Sequence, residues 1–131
     1  RPAPEKQRMS GARTDRQRAE AAGRWSEHLA ALILRLKGFT ILETRYKTPV
    51  GEIDLVAKRS NLIAFVEVKA RPAVEDALSA VSHRAQRRII AAADVFVARH
   101  PHLAHCDMRY DIFAVAGWRI KHVERAWRSD D

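Results

Sequence analysis

Residues 51–69 read Gly51-Glu52-Ile53-Asp54-Leu55-Val56-Ala57-Lys58-Arg59-Ser60-Asn61-Leu62-Ile63-Ala64-Phe65-Val66-Glu67-Val68-Lys69. Two apolar runs, 52–58 and 62–69, flank the polar Arg59-Ser60-Asn61 and predict two strands joined by a tight turn. A two-residue turn at Ser60-Asn61 and a four-residue turn over 59–62 give the same antiparallel register. In that register Arg59 meets Leu62 and, counting back, Asp54 meets Glu67. Glu67 and Lys69 are two apart on one strand, so they share a face with Ile63 and Phe65, and the carboxylate emerges among apolar side chains. Two opposed carboxylates destabilise a strand pair. A divalent cation reconciles them, since Mg²⁺ is commonly held by one or two carboxylates completed by water and phosphate oxygens. Lys69 adds a cation for an attacking water or a developing phosphate charge. Glu67-x-Lys69 alone is an ordinary surface pair; Asp54 on the preceding strand makes it a candidate metal site.

Around this hairpin the chain alternates helix and strand. A helix is expected from an N-cap at Asp15 to about Lys37, stopped by Gly38. An extended segment over 39–46 follows, then the break Thr48-Pro49-Val50-Gly51. Beyond the hairpin, Arg71-Pro72 punctuates the chain, and one long helix is expected over 74–99. Two final strands, 108–115 and 119–127, are joined at Ala116-Gly117. The order is α-β-β-β-α-β-β, a mixed α/β domain with a predominantly hairpin-built sheet and helices packed against it.

With 131 residues, 47% of them hydrophobic, the chain has the size and composition of one compact domain. The net charge of +8 favours a polyanionic partner, nucleic acid above all. Half of that excess lies in residues 1–18, where Arg1, Lys6, Arg8, Arg13, Arg16 and Arg18 face Glu5 and Asp15. Residues 1–18 are accordingly read as a mobile basic tail and 19–131 as a single domain. One cysteine, Cys106, rules out an internal disulfide and suits a reducing, cytoplasmic setting. No apolar run approaches the ~18–20 residues of a membrane span, and no signal-peptide pattern is read.

On the first helix, Trp25, Leu29, Leu32, Ile33 and Leu36 recur at helical spacing and are expected to face the core. Glu27 falls instead with Gly23, Ala30 and Leu34 on a second face, whose small residues admit a close neighbour. Glu27 is there either a further metal ligand or a rim residue. Trp25 is expected in the core; Trp118 and Trp127 are read as core or as stacking surfaces for unpaired bases, with core preferred. His100, His102, His105 and Cys106 lie close together, but with no second ligand pair in view a surface loop accounts for them better than zinc. Arg84, Arg87 and Arg88 share an arc of the second helix, suited either to a phosphate backbone or to solvent.

Taken together, these residues resemble the YraN family of uncharacterised endonuclease-like proteins. That family is similar in turn to archaeal Holliday junction resolvases and the wider PD-(D/E)xK nuclease superfamily. The resemblance runs from Gly23 to Trp127. It is carried by Glu27-x-x-Ala30, Gly38-Phe39, Gly51-Glu52-Ile53-Asp54-Leu55, Phe65-Val66-Glu67-Val68-Lys69-x-Arg71 and Gln86-Arg87-Arg88-Ile89. Arg109-Tyr110-Asp111 and His122-Val123-Glu124-Arg125-Ala126-Trp127 complete it.

The resemblance implies a restriction-endonuclease-like core, a mixed central sheet flanked by helices, and a Mg- or Mn-dependent endonuclease acting on DNA, with branched, nicked or single-stranded forms as candidate substrates. By position, Asp54 and Glu67 would be metal ligands, joined by the Val68 carbonyl and by Glu27, with Lys69 the catalytic lysine. Arg71, Arg84, Arg87 and Arg88 would contact nucleic acid. A two-fold homodimer is also implied. The chain departs from the family at Ala85, where a lysine is usual, and at Thr44, where an asparagine is frequent. The modest basicity of the domain and Ala85 leave a second reading open: a catalytically silent nucleic-acid-binding accessory domain of the same fold.

Overall fold

The computed structural model describes the backbone of residues 3–130, and side chains over 15–130 apart from Arg16 and Ala19. Helix α1 (Ala3–Leu36) leads into strands β1 (Thr40–Thr48), β2 (Gly51–Arg59) and β3 (Leu62–Ala70). Helices α2 (Val74–Ser79) and α3 (His83–Arg99) follow. After a 3-10 turn at Pro101–Leu103 come β4 (Asp107–Ala116) and β5 (Arg119–Trp127). The five strands form one sheet in the order β1-β2-β3-β4-β5. Only β3 and β4 pair in parallel; the other neighbours are antiparallel. A parallel step needs a crossover, and α2 and α3 supply it. The expected mixed α/β core with helices against a mixed sheet is what forms.

Each face of the sheet carries its own apolar cluster. On one, α3 lays Ile89, Ala92 and Phe96 over Ile53, Val56, Ile63 and Phe65. On the other, α1 lays Ala30, Ala31 and Leu34 over Leu55, Ala57, Ala64, Val66 and Phe113. A strand buried on both faces reads as a continuous apolar run rather than an alternation. Residues 62–66 of β3 are such a run.

Several expectations fail. Most of the apolar stripe of α1 turns away from the sheet: Trp25 is 65% exposed and Leu36 78%, whereas Leu34 is 0%, and of the stripe Ile33 packs partly against the cluster. The small-residue face packs instead, because Ala30 and Ala31 let the helix settle close onto a sheet surface that itself presents Ala57 and Ala64. Trp118 is likewise not core but 86% exposed at the β4–β5 turn, while Trp127 is buried against Tyr110. The helix expected over 74–99 is two helices, broken at Ala80-Val81-Ser82. Ser82 has an extended backbone, and its hydroxyl accepts from the Ala85 amide at 3.1 Å, restarting the helix as its N-cap.

Helix α1 begins before Asp15, so Asp15 lies within it rather than capping it. The mobile tail expected over 1–18 falls mostly outside the residues with described side chains. No described helix is long and apolar enough to cross a membrane.

Candidate metal and nucleic-acid site

The β2–β3 hairpin turns at Ser60-Asn61 as read from the sequence, with Arg59 opposite Leu62 and Leu55 opposite Val66. The ladder stops there. One step further, Asp54 is not backbone-paired to Glu67; its Oδ2 instead accepts the Val68 amide at 2.8 Å. As β2 peels away from β3, the aspartate takes the place of the carbonyl that the ladder would have supplied. Asp54 is unmatched toward β1 too, where the pairing steps from Thr44–Leu55 to Tyr46–Ile53. Residues two apart on a regular strand share a face, yet Leu55 belongs to the α1-side cluster while Ile53 belongs to the α3-side cluster. The chain twists over at Asp54, and Arg45 opposite it adopts a left-handed φ of 51°.

This local break brings the acids together. Glu67, only 13% exposed at its side chain, stands beside Asp54 and 3.8 Å from the Lys69 ammonium. Burial first, then a hydrogen bond to Asp54 and the Asp54 charge, push the Glu67 carboxyl up to about 9; Lys69 opposes this and Glu27 adds to it. In the metal-free chain Glu67 therefore keeps its proton at neutral pH beside Asp54. That strained pair, in a half-buried place with a lysine alongside, fits a divalent cation: two oxygen donors whose repulsion the ion would remove.

The cleft in front of Glu67 measures about 540 Å³ and is lined by Glu52, Glu67, Ser82, Arg84, Ala85, Arg88 and Ile89. Gly51 sets its depth. A Cβ there would meet the Arg88 carbonyl oxygen at 2.6 Å, so only glycine lets α3 lie this close to β2. The cleft is basic opposite the acids. The first turn of α3 holds no acidic residue, its helix dipole presents the positive end, and Arg84 and Arg88 lie one turn apart along the rim.

The expected site residues divide accordingly. Glu67, Arg84 and Arg88 line one cleft, with Ala85 between the two arginines; Lys69 stands 3.8 Å from Glu67, and Asp54 is tied to the Val68 amide, but neither lines that cleft. Arg87 turns away and lines a separate hollow with His83, Gln86, Asp94 and Arg128. Arg71 follows β3, exposed, its guanidinium on the Ala70 carbonyl and its amide on that of Val115. Val68 enters through its amide. Glu27 lines the α1-side hollow with Thr44 and Leu55, its charge felt at Glu67, and is held by Arg45, Nε to Oε1 at 2.8 Å. Among the described residues no three His, Cys, Asp or Glu side chains converge in a metal-holding group. In the histidine loop, His100 is occupied by the Phe96 carbonyl and stacks on the Phe96 ring.

Sequence reading missed two features. Arg45 is one; a left-handed residue inside a strand leaves no periodic trace. The other is Asp111, fully buried on β4. Arg109 grips it bidentately at 2.9 Å and 2.9 Å, and the Arg125 amide donates at 3.0 Å. His122 Nε2 donates to it at 2.8 Å, while Nδ1 accepts from Lys37 at 2.7 Å. Burial raises the Asp111 carboxyl, but His122, Arg109 and the Arg125 amide outweigh it and hold the carboxyl below the ordinary range. An aspartate inside the apolar run 110–116 was the available signal, since a buried charge needs partners.

Comparison with known proteins matches residues 26–115 to the profile of a family described as uncharacterised protein family UPF0102. A UPF0102 protein of Chelativorans sp. (strain BNC1) is 53% identical over 118 residues, covering 88% of this chain and 94% of the relative. One from Mesorhizobium japonicum is 47% identical, covering 86% of this chain and 90% of its own. One from Paramagnetospirillum magneticum is 45% identical, covering 87% and 92%.

Proposed function

This chain belongs to the uncharacterised protein family UPF0102, the YraN family, and we propose that it is a divalent-metal-dependent endonuclease acting on DNA phosphodiester bonds. The observation that carries this reading is Glu67, with Asp54 and Lys69 beside it, lining one cleft with Arg84 and Arg88.

Asp54 and Glu67 would hold Mg²⁺ or Mn²⁺, with the Val68 carbonyl and Glu27 completing the protein's share of the ligands. Once bound, such an ion polarises a phosphoryl oxygen and acidifies a water that attacks phosphorus. The chain's own residues do the rest. The Val68 amide keeps Asp54 in place, so that its second oxygen is free to face the ion. Lys69, on the same face as Glu67, orients the attacking water and stabilises charge developing on the phosphate. Arg84 and Arg88 neutralise neighbouring phosphates along the strand, and Arg71 extends that path past the end of β3. Branched, nicked or single-stranded DNA, and action as a two-fold dimer, come from the resolvase resemblance.

The test is cleavage of branched, nicked and single-stranded DNA by the purified chain with Mg²⁺ or Mn²⁺. Cutting above the level of a Glu67→Ala control supports the reading. Equal products from both proteins on every substrate would sink it. DNA binding that persists without Mn²⁺ binding would then favour the silent accessory domain.

A further inference from the structure

Arg45 stands where the strands around the acids come apart. Its φ of 51° lies in the left-handed region, which residues other than glycine seldom occupy and which tends to mark functional sites. Its two neighbours on β1 face opposite sides of the sheet. Thr44 opens onto the α1-side hollow with Glu27 and Leu55, and Tyr46 packs edge-on against Phe96 on the other face, ring centroids 5.3 Å apart. The turned backbone sends the guanidinium toward the acids: 2.8 Å from Glu27, and within the fields of Glu52 and Asp54. Glu27 in turn acts on Glu67. Lys69 is the cation on the Glu67 side of this group, and Arg45 is the cation on the Glu27 side.

Resting on the metal-site reading above, we infer that Arg45 is a displaceable counter-ion, a positioning residue that holds Glu27 until a divalent ion takes over its charge. As it stands, Glu27 is committed to the guanidinium, which donates to its Oε1 at 2.8 Å. Release of that one ion pair frees the carboxylate that the first helix contributes. Binding of the ion and breakage of the Arg45–Glu27 pair are then a single exchange. The affinity measured for metal is the intrinsic affinity reduced by the strength of the pair.

Titration calorimetry with Mn²⁺ alone, on the full chain, tests this without reference to activity. Removing the competitor in Arg45→Gln should tighten Mn²⁺ binding roughly two- to fivefold, the range open to a partly exposed ion pair. Arg45→Lys, which keeps the charge, should stay near the wild type. Arg45→Gly suits the left-handed backbone, guards against a folding defect, and should tighten binding like Arg45→Gln. Adding Glu27→Gln should abolish the gain. Unchanged or weaker Mn²⁺ binding by both Arg45→Gln and Arg45→Gly, with wild-type binding intact, overturns the inference and leaves the metal site standing. Wild-type binding no stronger than that of an Asp54→Asn, Glu67→Gln control overturns both.

Discussion

Asp54 and Val68 are joined by a 2.8 Å hydrogen bond from the Val68 amide to the Asp54 carboxylate, one residue beyond the last rung of the β2–β3 ladder. The same side chain thus closes a backbone gap and offers a second oxygen to a cation. Those two duties separate on mutation. Asp54→Ala strands a part-buried amide and is expected to cost about 1–3 kcal/mol of stability as well as Mn²⁺ binding. Asp54→Asn keeps a carbonyl oxygen for Val68, so its melting temperature should stay near the wild type while Mn²⁺ binding is lost. If chemical denaturation finds the two variants equally destabilised, the amide bond is not what Asp54 contributes to the fold.

Acid and base should weaken the metal-free chain for different reasons. Glu67 is raised from 4.5 to about 9, so its protonated form is favoured by folding. Its contribution is complete below the unfolded value and is lost as pH climbs through the folded one. Asp111 is lowered from 3.8, so its contribution is present above that value and is lost as pH falls through the lower folded one. Between them they place the stability maximum on the acid side of neutrality. Mn²⁺, which needs deprotonated carboxyls, should stabilise most near pH 9 and least near pH 5. Thermal melts with and without Mn²⁺ check this. The Glu67→Gln variant should lose most of the alkaline decline, and an identical decline in both proteins would contradict the assignment.

Helix α1 gives a direct test of which face holds the sheet. Leu34→Ala empties a fully buried position and should cost about 2–5 kcal/mol. Leu36→Ser, on the exposed stripe, should stay within about 0.5 kcal/mol of wild type. A large loss at Leu36 in denaturant unfolding would mean that the stripe is covered in solution.

That reversal shows what the sequence could and could not convey. The two hairpin strands and their register follow from two apolar runs flanking a short polar turn, so Leu55–Val66 and its neighbours were legible. The orientation of α1 was not, because periodicity finds the bulkiest face and packing can prefer the smallest, as it does at Ala30 and Ala31. The α2–α3 break turned on Ser82, whose capping hydroxyl competes with a helical pattern that continues through it. Extending the register placed Asp54 opposite Glu67, but the ladder ends at Leu55–Val66 and Asp54 meets the Val68 amide instead. The escape of Asp54 from the ladder, the left-handed Arg45 and the grip of Arg45 on Glu27 depend on how three strands and a helix meet, and no local pattern carries them.

Gly51 should be intolerant of even one methyl group. The obstruction at 2.6 Å is the backbone oxygen of Arg88, which cannot rotate aside as a side-chain tip would. Gly51→Ala must push α3 off β2, and overpacking of this kind costs about 1–3 kcal/mol. The same shift carries Arg84 and Arg88 away from Glu67. The variant should therefore bind DNA more weakly even at temperatures where circular dichroism shows it folded. Wild-type stability together with wild-type DNA binding would refute the close contact.

Arg84, Arg87 and Arg88 at the start of α3 ought to behave unequally on DNA. Arg84 and Arg88 border the cleft with Glu67, whereas Arg87 lies in another hollow beside Asp94. A phosphate contact contributes about 0.9 to the slope of log affinity against log salt. Arg84→Ala and Arg88→Ala should each weaken binding uniformly across sequences and flatten that slope by roughly this amount. Arg87→Ala should leave the slope near the wild-type value, although it removes the same formal charge from the same helix. Fluorescence anisotropy over a range of salt concentrations separates the cases. Equal flattening by all three would mean that DNA responds to the net charge of the helix and not to the cleft, and that outcome would remove Arg84 and Arg88 from the site.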